Sequence, residues 1–156
     1  MTSRMKRLGA LILFLLLVVG GGLAIGILTA PGEWYAGLAK PPFNPPGFVF
    51  APVWTVLYVL IAIAGWRSFE QDRSSAPMKL WWAQLALNFL WSPVFFAAHR
   101  IGLAFLVIVA LLAAILAFVA TCWRKDRPAA LLFAPYAAWV GFAAALNGAI
   151  WQLNRQ

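Results

Sequence analysis

Residues Trp34 to Pro46, WYAGLAKPPFNPP, constrain this chain more than any other stretch. Pro41, Pro42, Pro45 and Pro46 each lack a backbone N–H and fix φ, so the stretch is not expected to be helical. It interrupts a sequence that is otherwise a series of long apolar runs, and it is too short to be a domain. At about 18–20 residues between two such runs it exceeds the usual connection, and connections of that length tend to be lids or binding loops.

The apolar runs set the class. With 64% hydrophobic and 10% charged residues, the chain departs from a soluble domain, which is nearer half apolar and a quarter charged. The expected architecture is all-α: a single membrane domain, residues 1–156, of five transmembrane helices with the proline-rich first loop as lid. The helices are placed at about 8–28, 48–66, 79–98, 101–123 and 129–153. A cleavable leader is the rival reading of the first run. That run is too long for a typical leader core, and Leu28-Thr29-Ala30 lacks small residues at both cleavage positions. Gly22 and Gly26 give it one GxxxG spacing, a face for close backbone approach within the chain or by a second copy.

Charge sets the orientation. The net charge of +8 is carried in short clusters between the apolar runs, the pattern of a membrane protein meeting lipid headgroups and not of a nucleic-acid surface. Arg4, Lys6, Arg7, Arg67, Arg73, Lys79, Arg124, Lys125 and Arg127 fall on one side. Lys40, Arg100 and Arg155 fall on the other. If the membrane is a bacterial inner one, the asymmetry predicts a cytoplasmic N-terminus, with the first loop and C-terminus opposite; the sequence does not identify the membrane.

The chemistry-bearing side chains gather on the second, third and fifth helices. Trp54 and Tyr58 are four apart and share a face. Gln84, Asn88, Trp91 and Phe95 form one stripe, and Tyr136, Trp139 and Asn147 fall roughly on one side of the last helix. An unpaired amide in lipid is costly, so these groups are expected to face a bundle interior or a cavity. Counting inward at about 1.5 Å per residue, Trp54, Asn88, Trp91 and Asn147 lie about 8–16 Å below the outer surface, with Gln84 and Trp139 at about 20 Å. The expected result is an aromatic, sparsely polar pocket beneath the loop, suited to a flat hydrophobic ligand.

Blander readings stand beside this one. Trp54, Trp91 and Trp139 fit buried packing as well as ligand contact. Gln84, Asn88 and Asn147 fit hydrogen bonding between helices. Trp66, Trp81, Trp82, Trp123 and Trp151 are expected to be interface anchors, and His99 an interfacial residue. Cys122 reads as a small apolar residue. With one His, one Cys and no carboxylate inside a span, neither a metal site nor an acid–base pair is expected, and no cofactor is required.

The motifs WYAGLAKPPFNPP, PVWTVLY, QLALNFLWSPVFF, APYAAW and the Leu146-Asn147 pair together resemble the TspO/MBR family, the tryptophan-rich sensory and translocator proteins, in a bacterial-type member. The resemblance runs from about Trp34 to Asn147. It implies a five-helix bundle, commonly a homodimer, whose first loop covers an intramembrane cavity. The implied ligands are tetrapyrroles such as protoporphyrin IX and haem, along with benzodiazepine-site compounds. The implied role is tetrapyrrole transport, sensing or scavenging. Carried over by position, the ligand-binding residues are Trp34, Trp54, Tyr58, Gln84, Asn88, Trp91, Trp139, Ala143 and Asn147. Trp34, Lys40, Pro41, Pro45 and Pro46 belong to the lid. An alternative implied for some bacterial members is light- and oxygen-dependent breakdown of protoporphyrin IX, with Trp54 and Trp139 as catalytic tryptophans. A structural scaffold is the third reading. Gly148 and Ala149 stand where a cholesterol motif would need tyrosine, which argues against a sterol partner.

Overall fold

The computed structural model describes residues 2–155, among which every regular element is a helix and none is a strand. Helix α1 spans Ser3–Leu28 and contains one wider π turn at Leu16–Gly20. A single helical turn, α2, covers Glu33–Ala36. Helix α3 is Phe50–Gln71, entered through a 3₁₀ turn at Gly47–Val49. Helix α4 is Ala76–Ser92 and runs on into a π turn at Pro93–Ala97. Helices α5 and α6 are Ile101–Lys125 and Arg127–Leu153. By length and composition, Ser3–Leu28, Gly47–Gln71, Ile101–Lys125 and Arg127–Leu153 are each long and apolar enough to cross a membrane.

Local chemistry explains where these elements begin and end. The Ser75 hydroxyl accepts from the Met78 N–H, and Pro77 sits in the first turn, where its missing donor costs nothing. Helix α4 therefore starts at Ala76, ahead of the Lys79 that hydropathy suggested. Helix α3 continues past Trp66 to Gln71 because its last turn is polar but still helix-forming. Asp126 caps α6 through the Ala129 N–H. At Pro93 the α-helical bonding of α4 gives way, and the Ala98 N–H reaches back to the Pro93 carbonyl at 2.9 Å. The loop needs one correction. Trp34, Tyr35 and Ala36 do form a helical turn, since the backbone restriction imposed by the prolines begins at Lys40 and not before.

Helix α5 lies between α4 and α6, and α3 packs against both α6 and α1. The larger core joins Val18, Ile61, Trp81, Ile115, Phe118, Phe133 and Val140. A smaller cluster of Phe95, Ala104, Leu146 and Ile150 lies at the loop end, with Trp34, Tyr35, Leu38 and Phe50 packed on it. Trp91 touches both clusters. Away from the helix ends the outward faces are largely apolar: Leu13, Leu16, Ile27 and Leu106 are all well exposed. Such a surface would be an aggregation hazard in water and is ordinary in lipid.

Trp81 overturns the interface-anchor expectation. It is fully buried, and its Nε1 donates to the Ile61 carbonyl at 2.9 Å. Its ring lies so close to Gly65 that any Cβ there would collide with it. Of two consecutive tryptophans on a helix, only one can face the core; Trp82 takes the outward position at 48% exposure. Gly22 plays a similar part on α1. Its face is filled by the Tyr58 ring of the same chain, so at Gly22 the close approach is made within the chain.

Candidate functional site

Two polar layers cross the bundle between α4 and α6. In the first, Asn88 Nδ2 donates to the Tyr136 hydroxyl at 2.7 Å, and that hydroxyl donates to Gln84 Oε1 at 2.8 Å. All three side chains are buried. In the second, Trp91 Nε1 donates to Asn147 Oδ1 at 2.9 Å, and Asn147 Nδ2 donates to the Ile101 carbonyl at 3.1 Å. The amide stripe on α4 is thus tied to α6 by side chains. Spacing alone leaves these residues as either interhelical glue or ligand contacts, and in the structure they bond helix to helix.

Two buried donors nevertheless remain without a partner. Gln84 Nε2 and Trp139 Nε1 are both shielded from solvent and bonded to nothing among the described residues. Nearly all buried polar atoms in folded proteins find a partner, so each exception points to strain, to water or to a ligand. Aromatic walls surround them. Trp54 is 5.5 Å from Tyr58 and meets Tyr136 edge-on at 6.4 Å, ring centre to ring centre. Trp139 meets Phe50 edge-on at 5.9 Å and lies 5.6 Å from Phe142. Phe142 in turn meets Phe43 of the loop. Ala143, half-buried, lies against the same core.

Trp139 therefore stands at a different level from the one that counting suggested. It contacts the first residue of α3, where the loop enters the bundle. Counting from the end of α6 misplaces it because α6 reaches out as far as the loop: Asn154 bonds there with Ala39. Depth along one helix is a poor ruler when neighbouring helices end at different heights.

Besides the Phe43 contact, the loop is held by Asn154 and by His99. Asn154 Oδ1 accepts from the Ala39 N–H at 3.0 Å, while its Nδ2 donates to the Ala39 carbonyl at 2.9 Å. Trp34 stacks on His99 with ring centres 4.0 Å apart and planes 12° apart, and it also touches Phe95. His99 has a φ of 57°, a left-handed conformation that makes the tight reversal from α4 into α5. His99 is exposed, as an interfacial residue should be, but it also holds the loop. Lys40 turns inward on the loop itself. Its ammonium donates to the Tyr35 and Leu38 carbonyls at 2.7 and 3.2 Å and lies over the Tyr35 ring. Pro41 is buried, Pro45 is half-buried and Pro46 is exposed.

The structure thus brings Trp54, Tyr58, Gln84 and Asn88 together around Tyr136, and Trp91 with Asn147 beside them. Trp34 sits apart, in the loop-end cluster, and Lys40 is bonded within the loop. Tyr136 is the residue that sequence reasoning undervalued: it shares a face with Trp139, but nothing in its spacing marks it as the hub. Among the described residues, no group of three or more His, Cys, Asp or Glu side chains is placed to hold a metal ion.

At the opposite end, Arg67 grips Asp126 through Nε and Nη2, the shortest distance being 2.8 Å, and Gln71 Nε2 donates to the same carboxylate. Burial raises the Asp126 pKa. The hydrogen bonds from Arg67, the Ala129 N–H and Gln71 outweigh that effect, and the carboxyl titrates below its ordinary range.

A bundle with apolar outer faces and an internal aromatic and amide belt is the architecture of an integral membrane protein. The chain belongs to the TspO/MBR family, whose sequence profile matches residues 13–152. A tryptophan-rich sensory protein of Cereibacter sphaeroides is 37% identical over 145 residues, covering 93% of this chain and 92% of the relative. A translocator protein of Ovis aries is 38% identical over 143 residues, with 87% and 84% covered. The tryptophan-rich protein TspO of Archaeoglobus fulgidus is 38% identical over 148 residues, with 92% and 96% covered.

Proposed function

We propose that this protein binds porphyrins such as protoporphyrin IX and haem, and benzodiazepine-site ligands, in an intramembrane site between α3, α4 and α6. Its role would be tetrapyrrole transport, sensing or scavenging. The observation carrying the proposal is the pair of buried, unpartnered donors, Gln84 Nε2 and Trp139 Nε1, set among aromatic rings that meet edge-on. A flat apolar ligand with carbonyl or carboxylate acceptors satisfies both requirements of such a site. The names borne by relatives, sensory and translocator, agree with a small-molecule role.

The architecture that goes with this reading has five spans in one domain, the third formed by α4 together with its π turn. Residues 34–46 act as the lid, the N-terminus is cytoplasmic, and two copies associate as a homodimer. The test is titration of protoporphyrin IX into the detergent-purified protein, followed by tryptophan fluorescence and then by absorbance under light. Saturable quenching that weakens about tenfold in Asn88→Leu supports the site, a loss in the range of one or two hydrogen bonds. A bilin-like absorbance band that forms in light and oxygen, and disappears in Trp54→Phe or Trp139→Phe while binding survives, moves the reading to an enzyme. Absence of saturable quenching removes the porphyrin reading and leaves the fold standing.

A further inference from the structure

We propose that the end of the bundle away from the loop carries a site for a zwitterionic phospholipid headgroup, a phosphodiester with a primary ammonium as in an ethanolamine lipid. The site is a cleft of about 420 Å³ lined by Arg7, Trp66, Arg67, Glu70 and Gln71, where the start of α1 meets the last turns of α3. It is separate from the aromatic region and does not depend on the function proposed for it.

The cleft is built around two half-used guanidinium groups. Arg67 spends Nε and Nη2 on Asp126, and its Nη1 has no partner among the described residues. Arg7 places its Nε 2.9 Å from Glu70 Oε2, which leaves its terminal nitrogens to the cleft. A guanidinium has five N–H donors in a planar fork, so it can hold a carboxylate on one edge and a phosphate on another. Trp66 fixes the frame by donating its Nε1 to the Arg7 carbonyl at 3.1 Å, and the Arg7 guanidinium lies 5.8 Å from the Trp66 ring centre.

Glu70 decides the class of headgroup. Asp126 is buried behind Arg67, so the charges lining the cleft are two guanidinium groups and one carboxylate. A simple anion meets the arginines and is repelled by Glu70. A phosphodiester bearing an ammonium satisfies all three, with the phosphate on Arg7 and Arg67 and the ammonium on Glu70 Oε1 beside the Trp66 ring. A choline headgroup has no N–H to give Glu70, and a glycerol headgroup has no cation. The source is a membrane lipid and not a soluble ester: Met5 and Leu8, which flank Arg7, are more than half exposed and offer the acyl chains an apolar path.

The test is native mass spectrometry of the full chain, exchanged into detergent with equimolar dioleoyl phosphatidylethanolamine, phosphatidylglycerol and phosphatidylcholine. The expected result is retention of the ethanolamine lipid about threefold above either of the others. Arg7→Gln is expected to lower retention of all three lipids. Glu70→Gln, whose partner in the protein is the exposed Arg7, is expected to abolish only the ethanolamine advantage, and it carries the test should Arg7→Gln fold poorly. Equal retention of the three lipids by the unaltered protein overturns the proposal, as does an undiminished ethanolamine preference in Glu70→Gln. Competition by soluble glycerophosphoethanolamine at the lipid's own concentration overturns the lipid assignment.

Discussion

Trp81 and Trp139 are both large indoles held within the helix bundle, and their surroundings differ in kind. Trp81 is wedged against Gly65 and spends its N–H on the Ile61 carbonyl. Trp139 is half-buried among Phe50 and Phe142, and its N–H is spent on nothing. The same contrast holds for the two ends of the molecule. Around Trp81 the packing is closed, and the Asp126 carboxylate beyond it is bonded on both oxygens. Around Trp139, and in the loop at Asn44, buried polar atoms are left over. One end is built for stability. The other holds buried, unspent hydrogen-bonding groups, which lower stability unless something else uses them, whereas the free guanidinium nitrogens of Arg7 and Arg67 reach solvent and cost little.

Substitutions at the closed end should have the largest effects. Trp81→Ala is expected to lose about 3–5 kcal/mol of stability, because a fully buried indole leaves a cavity in a packed core. Thermal unfolding in detergent, followed by circular dichroism, checks this; a loss under about 1 kcal/mol would break the comparison. Arg67→Met strands the Asp126 carboxylate and should cost about 2 kcal/mol, below the range for a fully buried pair because Arg67 is about a third exposed. The pH dependence follows from the direction of the Asp126 shift. Its folded pKa is lowered, so its contribution is complete above the unfolded value of about 3.9 and disappears as pH falls through the folded value. Stability of the unaltered protein should therefore fall more steeply below pH 4 than that of Asp126→Asn.

Tyr136→Phe tests the boundary between the two regions. It leaves Asn88 Nδ2 and Gln84 Oε1 without their shared hydroxyl and should cost about 1–3 kcal/mol, along with weaker porphyrin quenching. Asn154→Ala removes two solvent-exposed bonds to Ala39 from a half-buried side chain. About 1 kcal/mol is expected, read as faster proteolysis within residues 34–46. Trp139→Phe sharpens the contrast most. With no bond to lose, it should change stability by less than about 1 kcal/mol while weakening ligand binding. A loss as large as that of Trp81→Ala would show that the two tryptophans do the same job.

The open side of this contrast was legible in the sequence, and the closed side was not. Apart from Trp123 at the end of the fourth, only three of the apolar runs carry proline, tryptophan and amide side chains, and three- and four-residue spacings bring Gln84, Asn88 and Trp91 to one face. What stayed hidden depends on partners far along the sequence. Nothing local distinguishes Trp81 from Trp82; the difference lies in Gly65, on another helix. The role of Tyr136 needs both amides of α4, and the Asp126 pair joins residues 59 apart. Periodicity finds faces. It does not say which atom on the opposite face will be waiting.

The bond between Asn154 and Ala39 also has a place in time. Its partners are 115 residues apart, so the loop is synthesised long before the side chain that fastens it. Until Asn154 has left the ribosome and α6 has docked, residues 34–46 have no clasp on that side. Chain entropy makes so distant a closure late as well as long-range. Residues 34–46 thus stay unfastened on that side while the helices assemble, and the final fastening waits for α6.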